Sequence, residues 1–193
     1  MFTIPFKILT WGVLTAFLCQ IIALITIARC GNNIIVSQIE SLTDFIFFSV
    51  SFYFLFKNRL IKRAIVISII TITVFFFINA MFFQAIHKVF PTNIYFPTQI
   101  LFAVFSLLLF KEMLMYPLKI NIIKQSVFWY NTAILFYATT MFFNFGLSNY
   151  LVKRNLNDYF IYYFWYFILH VFYILIGISL LTDKKKFIIP YAR

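Results

Sequence analysis

The sequence predicts an all-α membrane protein: a bundle of six transmembrane helices, with the N-terminus and the C-terminus both cytoplasmic. Three observations carry that expectation: the solvent its composition demands, the length of its apolar runs, and the one-sided placement of its basic residues. Of 193 residues, 64% are hydrophobic and only 11% are charged, with a mean hydropathy of +0.96. Water does not solvate such a chain well. Apolar runs near the roughly 20 residues needed to cross a hydrocarbon layer recur along its whole length. In lipid each run must close its own backbone hydrogen bonds, which selects helix over an open sheet. The short alternating segments of a β-barrel are absent from the pattern. Most of the 29 Phe read as packing or lipid-facing residues.

The expected helices cover residues 8–28, 34–56, 64–86, 94–110, 127–147 and 159–181 of a single bundle, 1–193. The first could be mistaken for a signal peptide, but Phe17 and Leu18 are bulky where a peptidase needs small residues, so it reads as a retained anchor. Cys30, Gly31, Asn32 and Asn33 form the turn that ends it. The second helix carries two carboxylates, Glu40 and Asp44, and ends at a basic loop over 57–63. The third runs to a connection over 87–93 that contains His87 and Pro91. The fourth has the least clear ends, with Pro97 near its start and Lys111 and Glu112 close behind it. Pro117 falls in the longest connection, before the fifth helix, and residues 149–158 make the last polar loop. The sixth opens with an aromatic run, 159–166, of the kind that sits at a membrane interface. There is no G-x-x-x-G, so close helix pairing through two glycines is not signalled. Cys19 and Cys30 lie about 16 Å apart along one helix and cannot pair with each other.

Threading the six segments puts Lys7, Lys57, Arg59, Lys62, Arg63, Lys111, Lys119, Lys124, Lys184, Lys185, Lys186 and Arg193 on one side, twelve of the sixteen Lys and Arg. Only Arg29, Lys88, Lys153 and Arg154 fall on the other. By the positive-inside rule the richer side is cytoplasmic. The net charge of +11 is thereby a topology and headgroup signal, with Lys57, Arg59, Lys62, Arg63 and Lys184 to Lys186 as contacts for anionic lipid. Nucleic acid is excluded as a partner, because these charges stand in short loops beside lipid without a recognition fold.

Carboxylates at bilayer depth are costly and usually face the bundle interior or a wet cavity. Glu40 and Asp44 stand four residues apart on one helical face, which Ser37 and Asn33 extend toward the outer surface. Depth along the other segments places Asn79, Gln84, Thr98, Gln99, Thr139, Thr140 and Asn144 in the same half of the membrane, with His170 near its middle. These residues are candidates for a polar intramembrane pocket. Two carboxylates and a His are ordinary metal ligands, and a carboxylate pair can divide acid and base roles. The chain has no G-x-S-x-G and no H-E-x-x-H, and its glycines and prolines lie mostly near helix ends rather than breaking helices at mid-depth. No metal, cofactor or catalytic residue is therefore assigned. The simpler role of Glu40 and Asp44 is to hydrogen-bond neighbouring helices and set their register.

Glu40 in the second helix, the run Ser126-Val127-Phe128-Trp129 with Phe136-Tyr137 after it, and the aromatic last helix together resemble uncharacterised six-helix membrane proteins common in Bacteroidota. The resemblance implies a bacterial inner-membrane protein encoded near signalling kinases, and it supplies no catalytic residues. The functional expectation is a non-enzymatic multi-pass protein of the plasma (inner) membrane. It senses or relays a signal or forms the membrane component of a larger complex, with a protein partner or a second copy of itself. A membrane-acting effector belongs to the same class. The alternative is an intramembrane enzyme or small transporter that uses Glu40 and Asp44.

Overall fold

Helix is the only regular structure in the computed structural model, which describes residues 2–83, 92–117, 121–154 and 159–183. The six α-helices are α1 (Ile4–Cys30), α2 (Ile34–Leu55), α3 (Arg59–Ile78), α4 (Thr92–Met115), α5 (Ser126–Lys153) and α6 (Tyr159–Thr182). A π-helical turn, Asn79–Phe83, extends α3, and a short 3₁₀ turn, Ile122–Lys124, precedes α5. Each of the six expected segments has its counterpart among these helices, as far as the described residues reach. Five of them, α1, α2, α3 with its π turn, α4 and α6, are long and apolar enough to cross a membrane. The exception, α5, is the longest at 28 residues, but Asn131, Asn144 and Asn149 dilute its apolar character.

The helices outrun the apolar segments that reveal them. The main correction is at 57–63, expected as a loop: α3 already begins at Arg59, so Arg59, Lys62 and Arg63 stand in its first two turns. Asn58 caps it by accepting a hydrogen bond from the Leu60 N–H at 2.8 Å, replacing a partner that the helix end lacks. Lys111 and Glu112 likewise belong to α4, and Thr92 and Asn93 to its first turn. Helical hydrogen bonding does not stop at the hydrocarbon boundary, and long basic side chains can reach headgroups while their stems stay in an apolar layer.

The contacts group the described residues into two compact units, one spanning Thr3 to Thr98 and the other running from Gln99 onward. In the first, α1 and α2 form an antiparallel pair. Gly31 joins them in the left-handed region, φ 76°, and its N–H returns to the Ile27 carbonyl at 3.0 Å, a conformation that glycine adopts without steric cost. Three contacts step in opposite directions along the two helices: the Ser51 hydroxyl to the Pro5 carbonyl at 3.3 Å, Gly12 against Phe47, and Gln20 to Glu40. A Cβ placed on Gly12 would lie 2.9 Å from the Cβ of Phe47, so the bare glycine is what permits this approach. Ala16 and Ala23 continue the buried face of α1. The operative pattern is thus G-x-x-x-A within one chain, a small-residue seam that the search for paired glycines passes over.

In the second unit α5 lies antiparallel to the part of α4 that follows Thr98 on one side and to α6 on the other. The Phe110 ring meets Phe128 edge-on with centroids 5.9 Å apart, and the Asn131 amide donates to the Ser106 carbonyl at 2.9 Å. Tyr137 packs on Phe172 at 4.7 Å, and the Ser179 hydroxyl donates to the Ser126 carbonyl at 2.8 Å. The Trp129 indole N–H donates to the Ile123 carbonyl at 2.7 Å. Phe128 and Trp129 of the run 126–129 therefore lock the start of α5.

Polarity is distributed the wrong way round for water. Wholly buried side chains include Gln38, Ser49, Asn79, Gln99, Asn131 and Asn144, whereas Trp11, Phe17, Leu24, Ile67, Phe143, Phe167 and many other large apolar residues are exposed. A soluble protein rarely shows apolar patches of that extent. In lipid the same arrangement is expected, because polar groups inside join helices that the solvent does not push together.

Candidate functional site

The carboxylates of α2 are the chemical centre of the first unit. Their spacing places both on one face of the helix, and the antiparallel pairing with α1 brings a partner to the depth of Glu40. That partner is Gln20, whose Nε2 donates to Oε1 at 2.8 Å. Cys19, beside it on α1, and Tyr95, on the first turns of α4, are both near enough to interact electrostatically with Glu40 and Asp44. The Tyr95 side chain is also hydrogen-bonded to Ser41. Asp44 Oδ1 is buried and has no hydrogen-bond partner among the described residues. The unit thus contains one carboxylate clasped by an amide and, a turn deeper along α2, one with an open acceptor atom.

Asn79 marks the end of α3, where the helix widens into the π turn. It is buried, and its Oδ1 accepts from Nδ2 of Asn93, at the start of α4, at 3.0 Å. Two amides therefore tie the ends of neighbouring helices. Two residues after Tyr95, Pro97 sits inside α4 and has no N–H to give the Asn93 carbonyl.

Of the expected pocket residues in the second unit, Gln99 and Asn144 are buried, and the side-chain oxygen of each lacks a hydrogen-bond partner among the described residues. His170 is exposed on α6, with Nδ1 2.7 Å from the Tyr166 carbonyl of its own helix. That bond holds the ring against its own backbone. Gln84 and Lys184 to Lys186 lie outside the described residues. Among the described residues no group of three or more His, Cys, Asp and Glu comes together as metal ligands would.

Sequence reasoning singled out Glu40, Asp44 and Asn79 but missed Gln20, Tyr95, Asn93 and Asn131. Gln20 was within reach of it. Counting back from the Gly31 turn sets Gln20 at nearly the depth of Glu40, and a polar side chain in an otherwise apolar segment is itself a signal. Tyr95 carried none, in a chain with 12 Tyr.

At the cationic end of α2 and α3 the structure forms a groove of about 610 Å³, lined by Tyr53, Lys57, Arg59, Lys62 and Arg63 and, farther along α3, by Val66 and Ile67. The Lys62 ammonium lies 5.2 Å from the centre of the Tyr53 ring, a cation–π contact.

Apolar helices of spanning length, polar groups turned inward and cations gathered at helix ends define an all-helical protein of the multi-pass membrane type. Comparison with models of protein families, with curated proteins and with solved structures finds no significant match.

Proposed function

We propose that the chain crosses a bacterial inner membrane six times, with both termini in the cytoplasm, and acts without catalysis as a sensing or signalling element or as the membrane component of a larger complex. The sixth span is α5. At 1.5 Å per residue a helix of its 28 residues measures about 42 Å, ample for a layer of about 30 Å, and its buried Asn131 and Asn144 need not meet lipid. Leaving α5 out would move Lys184, Lys185, Lys186 and Arg193 outside and bring Lys153 and Arg154 in, reducing the split of basic residues from twelve against four to ten against six. The positive-inside rule favours the larger asymmetry. Reporter fusions test this directly: one placed after Arg193 is expected to report the cytoplasm, and a periplasmic signal there would remove the six-span topology.

The single observation that carries the non-catalytic reading is the Gln20–Glu40 bond. A carboxylate whose oxygen is taken by the amide of the next helix serves as a clasp between two spans. Such a clasp can hold or release α1 without chemistry, which suits a relay or an assembly subunit whose partner is another protein or a second copy of this chain. The resemblance to six-helix membrane proteins of Bacteroidota points the same way. Signalling or assembly by a Glu40→Gln variant, which keeps a hydrogen-bonding side chain, is expected to survive. Its abolition with the fold intact would argue for chemistry at this carboxylate.

The open acceptor of Asp44 favours the second reading, an intramembrane enzyme or small transporter. Under that reading Asp44→Asn abolishes activity while leaving the fold intact. Under the first it changes stability alone.

A further inference from the structure

We propose that the groove between the end of α2 and the start of α3 is a binding site for the phosphate headgroup of one anionic phospholipid. Arg59 and Arg63 line the groove together with Lys57 and Lys62, and no Asp or Glu is among its lining residues. The chain has only five acidic residues against sixteen basic ones, which leaves it strongly cationic overall. Two guanidinium groups four residues apart on one helix match the paired oxygens of a phosphate, which arginine binds through parallel N–H groups. The Tyr53 ring, carrying Lys62 over its face, closes the inner wall. A volume of about 610 Å³ lies within the range of about 300–1,000 Å³ typical of small-molecule sites.

The apolar continuation distinguishes a lipid from a free anion. Val66 and Ile67 line the far side of the groove. Beyond them Ile70, Val74 and Phe77 remain exposed along α3, at the three- and four-residue steps that keep side chains on one helical face. An anionic head in the groove thus leads to a path on which an acyl chain can lie. Diffuse attraction of a cationic surface to an anionic leaflet needs neither the pocket nor the stripe.

The proposal rests on the reading that this end of α2 and α3 meets lipid headgroups. Binding measured in detergent does not depend on which face of the membrane that end occupies, so an error in topology and an error in the site are separable. The full-length chain, purified in a neutral maltoside detergent, is titrated with phosphatidylglycerol, phosphatidylcholine, the acyl-free headgroup glycerophosphoglycerol and inorganic phosphate. Bound lipid is counted by native mass spectrometry and affinity is followed by thermal shift. One phosphatidylglycerol per chain is expected to persist under conditions that strip phosphatidylcholine. Arg59→Gln with Arg63→Gln is expected to weaken it roughly thirtyfold, at about fivefold per charge. Replacing Arg29 and Arg154 by Gln removes the same charge from residues that do not line the groove and is expected to change affinity less than about threefold. If the double arginine variant does not purify folded, each single variant carries the same test at about fivefold. Equal losses from the two pairs would reduce the groove to diffuse electrostatics and overturn the site. Binding of inorganic phosphate or glycerophosphoglycerol as tight as that of the lipid would assign a free phosphate ligand and overturn the lipid.

Discussion

Two antiparallel helix pairs, α1 with α2 and α5 with α6, are closed by opposite means. The first brings backbones together at Gly12, where no side chain intervenes, and adds the amide–carboxylate bond of Gln20 and Glu40. The second is filled by rings, Tyr137 on Phe172, and adds a hydroxyl bond from Ser179 to the chain at Ser126. Without a hydrophobic force between spans, close packing and hydrogen bonds must do the joining. A seam of small residues gains from proximity and fails when enlarged. A seam of rings gains from contact area and fails when cut back.

The largest expected effect breaks the aromatic seam. Phe172→Ala empties a buried ring site and is expected to destabilise the protein by about 3–5 kcal/mol, read from thermal or denaturant unfolding in detergent. Enlarging the small-residue seam comes next. Gly12→Leu drives a side chain into Phe47 and is expected to cost about 1–3 kcal/mol, whereas Phe47→Ala combined with it should restore part of the loss. The polar clasp is weaker. A double-mutant cycle of Gln20→Leu and Glu40→Leu is expected to give a coupling of about 0.6–2 kcal/mol, and a coupling near zero would demote the clasp to an incidental contact. The smallest effect sharpens the contrast. A Cβ on Gly177 of α6 meets nothing within 4 Å, so Gly177→Ala is expected to be neutral or to stabilise by up to about 1 kcal/mol. The same change at Gly12 should destabilise.

The helices were legible because lipid imposes one rule on every spanning segment, that the backbone satisfy itself. Their ends were less so. Apolarity marks the part of a helix that sits in hydrocarbon, while α3 starts at Arg59 and α5 runs to Lys153 among polar residues whose backbones bond in the same helical way. The importance of Glu40 and Asp44 was readable from the cost of placing a carboxylate in an apolar segment, and Gln20 was readable from depth. Nothing along the chain separated Tyr95 from other tyrosines, or Gly12 from glycines with open space around them.

What the sequence alone determined is therefore the set of properties that a residue carries by itself: its preference for lipid or water, its charge, and its depth along a helix. Which face of α1 meets α2, which glycine must be bare, and which carboxylate is clasped while the other keeps an open oxygen were decided by tertiary structure. Each of these depends on the distance between atoms far apart in the chain. That distance is set by how two helices pack, and a hydropathy pattern leaves their relative rotation undetermined.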